Sequence, residues 1–309
     1  MNNISGQGVE SNWLYSLWKF SRPHTIIGTT LSVLGLYLIT IANSPVPTTI
    51  SLLPLFGAWV ACICGNIYIV GLNQLEDVGI DKINKPHLPL ASGEFSRGTG
   101  QWIVSTTGIS ALLLALRQGP YLFGMVCISL LIGTAYSLPP IRLKQYPFWA
   151  ALCIFSVRGT IVNLGLFWHF SWVLEQGLTI PPSVWVLTIF ILIFTFAIAI
   201  FKDIPDMEGD LQYNITTFTI QLGKLAVFDL ARWVLTLCFG GIILIGFLRL
   251  IQANAFFLIA THLIALIWMW IRSGKVDLQN KASIASYYQF IWKLFFAEYL
   301  IFPIACLLS

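Results

Sequence analysis

Asn73-Gln74-Leu75-Glu76-Asp77-Val78-Gly79-Ile80-Asp81 follows directly on an uncharged apolar run and places an amide and two carboxylates at steps of four. On an α-helix a step of four advances a residue by only ~40° around the axis, so Asn73, Asp77 and Asp81 share one face over ~12 Å. A second such stretch, Lys202-Asp203-Ile204-Pro205-Asp206-Met207-Glu208-Gly209-Asp210, sets Asp203, Asp206 and Asp210 at i, i+3 and i+7, again on one face. Each acidic face follows an apolar stretch and has basic residues nearby. The pair points to one site that holds hard cations and, through them, a polyphosphate.

The apolar stretches decide the fold. Of the 309 residues 57% are hydrophobic and only 10% charged, and the mean hydropathy is +0.80. A solvated domain carries about 25% charged residues, so the chain is expected to be an all-α integral membrane protein with the lipid bilayer as its partner. No nucleic-acid partner is expected, because the net charge of +4 has to be read by position along the chain. Nine spans are expected at roughly 24–43, 51–72, 101–117, 120–138, 148–170, 184–201, 226–248, 254–271 and 288–308. The seventh has Asp229 and Arg232 inside its pattern. The acidic stretches follow spans two and six, which suggests two pseudo-repeated four-helix units plus a ninth helix, with the site between the repeats.

With the N-terminus on the cytoplasmic side, fourteen of the 17 Lys and Arg fall on that side, Arg117 and Arg249 on the other, and Arg158 inside a span. This asymmetry sets the orientation and brings both acidic faces to the cytoplasm. Residues 1–23 are expected to form a short cytoplasmic segment, and 24–309 one transmembrane domain with motif loops at 73–100 and 202–225. Met1 to Leu17 lacks the pattern of a secretory signal or transit peptide. The six cysteines lie in apolar segments without metal or redox spacing and read as small core residues.

Five carboxylates at a bilayer edge demand compensation. Two Mg²⁺ ions, with Arg142, Lys144 and Lys202 beside a bound diphosphate, bring the charge close to neutral. Mg²⁺ suits the place because it takes one or two carboxylates plus substrate phosphate. The fourth span ends in Tyr136-Ser137-Leu138-Pro139-Pro140-Ile141-Arg142-Leu143-Lys144, where the prolines break the helix and two hydroxyls meet two cations. Arg142 and Lys144 serve either as topology-setting charges or as phosphate ligands. Arg158, ~15 Å along the fifth span, either pairs with a buried carboxylate or binds an anionic substrate. Asn66, seven residues before Asn73, lines the pocket or bonds a neighbouring helix. His24 reads as interfacial or as part of an acceptor site.

These motifs resemble the UbiA-type intramembrane prenyltransferases, which carry Asn-x-x-x-Asp-x-x-x-Asp after helix two and Asp-x-x-Asp-x-x-x-Asp after helix six. The resemblance covers nearly the whole chain and includes the Tyr136-Ser-x-Pro-Pro-x-Arg142 segment. Phe20 to Thr29, Gly71 to Leu75, Asn84 to Glu94 and Phe201 to Asp206 are similar to the homogentisate prenyltransferases, above all the phytyl-transferring group of tocopherol synthesis. Gln74 stands where many relatives outside that group have Asp, and Glu76 adds a carboxylate where close relatives often carry an aromatic residue. The resemblance implies a multi-pass enzyme in the cytoplasmic or thylakoid membrane of a photosynthetic bacterium, using Mg²⁺. Phytyl diphosphate is the implied donor and homogentisate the acceptor, whose carboxylate offers a handle for Arg158 or Arg22. The implied metal-holding and catalytic residues are Asn73, Asp77, Asp81, Asp203, Asp206 and Asp210; Arg22, Asn66, Tyr136, Ser137, Arg142, Lys144, Arg158 and Lys202 would bind substrate. Other donors (solanesyl or geranylgeranyl diphosphate), other acceptors (chlorophyllide, hydroxybenzoate) and an ion-coupled transporter are the alternatives.

Overall fold

The computed structural model describes residues 12–44 and 52–309. Residues 1–11 of the expected N-terminal segment, and residue 51 at the start of the second expected span, lie outside the described residues. In chain order the helices are α1 (Trp13–Phe20), α2 (Pro23–Ala42), α3 (Leu52–Glu76), α4 (Val78–Asn84), α5 (Pro89–Ser92), α6 (Arg97–Gln118), α7 (Pro120–Ser137), α8 (Pro147–Phe155), α9 (Val162–Val173), α10 (Pro182–Phe201), α11 (Asp203–Gln212), α12 (Phe218–Leu222), α13 (Lys224–Phe247), α14 (Ala255–Ser273) and α15 (Lys281–Leu307). A π-helical turn, Ser156–Ile161, joins α8 to α9 within one long span, Pro147–Val173. Among the described residues nine helices are long and apolar enough to cross a bilayer, and none of those residues is in a β-strand. The protein is an all-α, multi-pass integral membrane protein.

Local chemistry explains the helix ends. Pro23, Pro120, Pro147 and Pro182 open α2, α7, α8 and α10, where the missing N–H costs nothing. Three boundaries differ from the hydropathy reading by a full helical turn or more. The third span starts at Arg97 rather than 101, because the Ser96 hydroxyl accepts from Thr99 N at 3.0 Å and caps the helix. The ninth starts at Lys281 rather than 288, capped by Asn280, whose side chain accepts from Ala282 N and Ser283 N. The second runs on through Asn73 to Glu76. Hydropathy misses such ends because their first turns are polar. Arg232 and Lys293, counted with the cytoplasmic charges although they fall within the expected spans 226–248 and 288–308, lie inside α13 and α15. Arg232 is tolerated there because it pairs with Asp229 one turn away and lies over the rings of Phe228 and Trp270, at 4.9 and 5.0 Å.

The packing follows the expected repeat. Helices α2, α3, α6 and α7 neighbour one another in sequence order, as do α8–α9, α10, α13 and α14, and α15 closes the bundle against α2, α10 and α14. Apolar burial gives little drive between helices in lipid, so close approach must come from small residues. Ala58 and Ala61 of α3 and Ala111 and Ala115 of α6 are fully buried where these helices pack. At Gly159, inside the π-turn, a Cβ would come within 2.5 Å of the Leu192 backbone on α10. Two surface helices then position the site: α4 follows α3, α11 follows α10, and the two pack on each other at one end of the bundle.

Gly159→Ala should therefore destabilise the purified protein by about 1–3 kcal/mol through overpacking. Gly124, where an added Cβ meets nothing within 4 Å, provides the control. Thermal melts in detergent should show a lower midpoint for Gly159→Ala and an unchanged one for Gly124→Ala; equal midpoints would refute the close contact.

Candidate functional site

The α4–α11 contact brings the two acidic arrays together. Asp77 is the break between α3 and α4, yet the backbone ladder continues through it: Asp77 N donates to Asn73 O at 3.0 Å and Asp81 N to Asp77 O at 2.7 Å. The register that places Asn73, Asp77 and Asp81 on one face thus survives the break. Asn84 locks the arrays across the gap, its Nδ2 donating to the carbonyl of Asp206 at 2.8 Å and its Oδ1 accepting from Gly209 N at 2.9 Å. Gly209 has no side chain to block this approach; a Cβ there would lie 2.6 Å from the Asn84 amide.

Asp77, Asp81, Asp203, Asp206 and Asp210 are all buried, and most of their charge is matched by cations. Asp77 accepts from Asn73 Nδ2 at 2.8 Å and from Arg142 at 3.3 Å, and it pairs with Lys144. Asp203 pairs with Lys202, and Asp206 with Lys85. Arg22, with its backbone in the left-handed region at φ 53°, donates to Asn73 Oδ1 at 3.2 Å. Burial pushes the Asp81 and Asp203 carboxyls above the usual carboxylate range, against the pull of Arg22 and Lys85 on the first and of Lys202 on the second. Burial is also the main reason that Asp210 is pushed up to about 7, with Lys202 opposing it and Asp206 and Asp203 adding to it. Lys144 is lowered by its own burial, against the pull of Asp77. Burial would also lower Lys202, but the carboxylates around it, Asp203 foremost, raise it well above its ordinary value.

One cavity of about 270 Å³ opens behind this cluster and runs in among the helices. Arg22, Asn73, Tyr136 and Lys202 line its charged end, and Val33, Met125, Val162 and Phe295 belong to its apolar wall. Asn66 lines it as well and donates to Thr25 Oγ1 at 2.9 Å, so both sequence-based readings of Asn66 hold. Arg158 lines it from the π-turn with its guanidinium 4.7 Å from the Trp292 ring, and the His24 ring lies tilted against the same indole at 4.8 Å. Ser137 does not line it: the side chain is fully buried and its hydroxyl has no partner among the described residues. Arg142 and Lys144 reach the site through Asp77 rather than through the cavity wall. Gln74 is structural, donating to the carbonyl of Phe20 at 2.7 Å, and Glu76 turns away toward Arg97 at 3.8 Å.

The sequence reading passed over Asn84 and Lys85. They are the last residue of α4 and its C-cap, and only the spatial pairing of the two arrays distinguishes them from ordinary helix-end residues. Among the described residues no three Asp, Glu, His or Cys side chains converge as a ready-made metal cage. The donor set nonetheless fits a hard cation: it is all oxygen, and Asp81 Oδ2 is buried with no hydrogen-bond partner. A cation that takes one or two carboxylates and completes its shell from a phosphate needs no such cage.

The sequence model of the UbiA prenyltransferase family matches residues 26–294. A homogentisate phytyltransferase from Synechocystis sp. is 54% identical over 94% of this chain and 96% of its own length. A homogentisate geranylgeranyltransferase from Hordeum vulgare is 38% identical over 94% of this chain and 72% of its own. The structure of a UbiA homolog from Archaeoglobus fulgidus bound to GPP and Mg²⁺ shares the fold, with a TM-score of 0.64 at 16% identity over 94% of this chain and 99% of that one.

The displaced carboxyl of Asp210 has a measurable effect on stability. Its folded-state value of about 7 lies above its ordinary value of 3.8, so between those limits the folded protein holds a proton that the unfolded chain releases. Stability of the cation-free protein should fall as pH rises through this window. Melting midpoints in detergent with chelator should decline less steeply from pH 4 to 7 for Asp210→Asn than for the wild type; parallel slopes would contradict the assignment.

Proposed function

The chain belongs to the UbiA prenyltransferase family, and from that premise we propose that it transfers a phytyl group from phytyl diphosphate to homogentisate. The acceptor loses its carboxyl group as CO₂, and the products are 2-methyl-6-phytylbenzoquinol and diphosphate. The observation that carries the reading is a cavity with two chemically distinct ends: charged residues at the mouth suit a diphosphate, and the intramembrane wall suits a chain as apolar as lipid. The 54% identity to a phytyltransferase, against 38% to a geranylgeranyltransferase, supports phytyl as the donor group. A cation-coupled transporter fits less well, because the carboxylates sit at and beyond the ends of α3 and α10 rather than at mid-span.

In this reading Asn73, Asp77 and Asp81 on one side, and Asp203, Asp206 and Asp210 on the other, would hold Mg²⁺. When bound, Mg²⁺ supplies Lewis-acid stabilisation to the departing diphosphate. Arg142, Lys144 and Lys202 leave their carboxylate partners for phosphate oxygens and place positive potential where negative charge develops. The Tyr136 hydroxyl adds a donor at the same level. The C1–O bond of the donor breaks with its electron pair leaving on the diphosphate, and an electron-rich ring carbon of the acceptor bonds to C1. That ring carbon then loses its proton, CO₂ departs, and a proton fills the benzylic position, so protons and charge balance. The aromatic wall holds the allylic cation through π faces and keeps water from competing with the ring.

We also propose that 24–309 acts as one transferase domain with motif loops 73–100 and 202–225, and that the site faces the cytoplasm from the cytoplasmic or thylakoid membrane of a photosynthetic bacterium. The excess of Lys and Arg on one side persists after Arg232 and Lys293 are set aside. In a cysteine-free background, reporter cysteines at Ser92 and Thr179 should react from opposite faces of sealed vesicles. Reaction from the same face would overturn the orientation.

The activity itself is read with carboxyl-labelled homogentisate in isolated membranes. Labelled CO₂ should appear in proportion to prenylated product, and only with prenyl diphosphate and Mg²⁺ both present; product that retains the label would exclude the decarboxylating course. Asp77→Asn and Asp203→Asn should each lower the rate on the order of 100-fold or more while inserting normally. A preference for geranylgeranyl or solanesyl over phytyl diphosphate would keep the chemistry and reassign the donor.

A further inference from the structure

The cavity contains a cation that the diphosphate end does not use. Lys85, Arg142, Lys144 and Lys202 each have a carboxylate partner, and Arg22 is tied to Asn73. Arg158 has no hydrogen-bond or carboxylate partner among the described residues; its guanidinium rests on the rings of Trp292 and Phe295, at 4.7 and 5.5 Å. The membrane-embedded acid of α15, Glu298, is already engaged with His262 at 3.0 Å. An arginine inside a bilayer without a counter-ion is costly, and such residues mark places where an anion binds.

Its placement is built in. Arg158 lies in the π-helical turn Ser156–Ile161, and single π-turns inside helices recur at functional sites because the extra residue re-aims side chains. The turn is pinned twice: Gly159 lets the Leu192 backbone approach closely, and Asn163 donates to the Gly159 carbonyl at 2.8 Å while accepting from the Tyr299 hydroxyl at 2.7 Å. Around the guanidinium stand flat aromatic walls, Trp292 and Phe295, with His24 against Trp292.

We infer that Arg158 is the specificity determinant for the acceptor, binding the carboxylate of an aromatic acid whose ring packs among His24, Trp292 and Phe295. The inference rests on the proposed transfer to homogentisate and assigns the carboxylate to Arg158 rather than to Arg22. Arg22 belongs to the acidic mouth. Two charges that are each costly in the cavity become an ion pair with the geometry of a planar fork on a carboxylate. Loss of CO₂ removes the charge that held the acceptor, and the neutral product is free to leave into lipid.

The test compares homogentisate with methylhydroquinone, which has the same hydroxylated ring without the carboxylate, at fixed phytyl diphosphate in membranes carrying the full chain. Arg158→Leu should raise the KM for homogentisate at least tenfold, leave the KM for phytyl diphosphate within about twofold, and cut the kcat/KM preference for homogentisate over methylhydroquinone at least tenfold. Arg158→Lys should restore part of that preference. Should Arg158→Leu fail to accumulate, Arg158→Gln is read by the same ratio. An unchanged preference, an equal loss with both acceptors, or a raised donor KM would overturn the assignment. A wild type that transfers nothing to homogentisate would instead overturn the proposed function.

Discussion

The structure depends on reconciling buried carboxylates with a low-dielectric surrounding. Asp77, Asp81, Asp203, Asp206 and Asp210 are packed at one end of a predominantly apolar helical bundle. An isolated buried carboxylate costs several kcal/mol even after relaxation, and like charges placed together add to that cost. The structure meets the demand with a matching set of cations drawn from different segments: Lys85 after α4, Arg142 and Lys144 after α7, and Lys202 at the head of α11. Those pairings fix where α4 and α11 lie, and these two helices in turn set the mouth of the cavity.

Much of this was legible in the sequence because it rests on periodicity and charge. Steps of four and of three plus four placed each acidic triplet on one face, and the i→i−4 bonds through Asp77 preserve that face even where the helix breaks. The spans were visible as apolar runs, and the six acidic-array residues do meet. The polar helix ends were not visible: Ser96 and Asn280 start helices ahead of the apolar runs, which moved two boundaries. The partner of each charge was equally invisible, since Asn84 and Lys85 gain meaning only from Asp206 and Gly209, more than a hundred residues away. Ser137 shows the opposite failure, a hydroxyl at the right depth that faces away from the cavity.

Arg158 was the residue for which sequence left two readings open, a buried partner for a carboxylate or an anion-binding group. Periodicity could not decide between them, because the π-turn changes the direction in which residues on the fifth span project. The absence of a carboxylate at its guanidinium among the described residues and its place on the cavity wall favour the second reading. The same turn explains the glycine at 159, whose role is to let α10 come close rather than to bend the chain.

The long reach of the ion pairs bears on how such a protein is assembled. Lys202 adjoins Asp203, but Asp77 is balanced by Arg142 and Lys144 from beyond α7, and Asp206 by Lys85 from the other acidic segment, so most of the compensating charge arrives only when separate segments meet. Docking of the helices and neutralisation of the acidic end are therefore one event, supplied by the protein's own cations. Biogenesis and ligand loading become separate events, and the scaffold is complete before any ligand arrives.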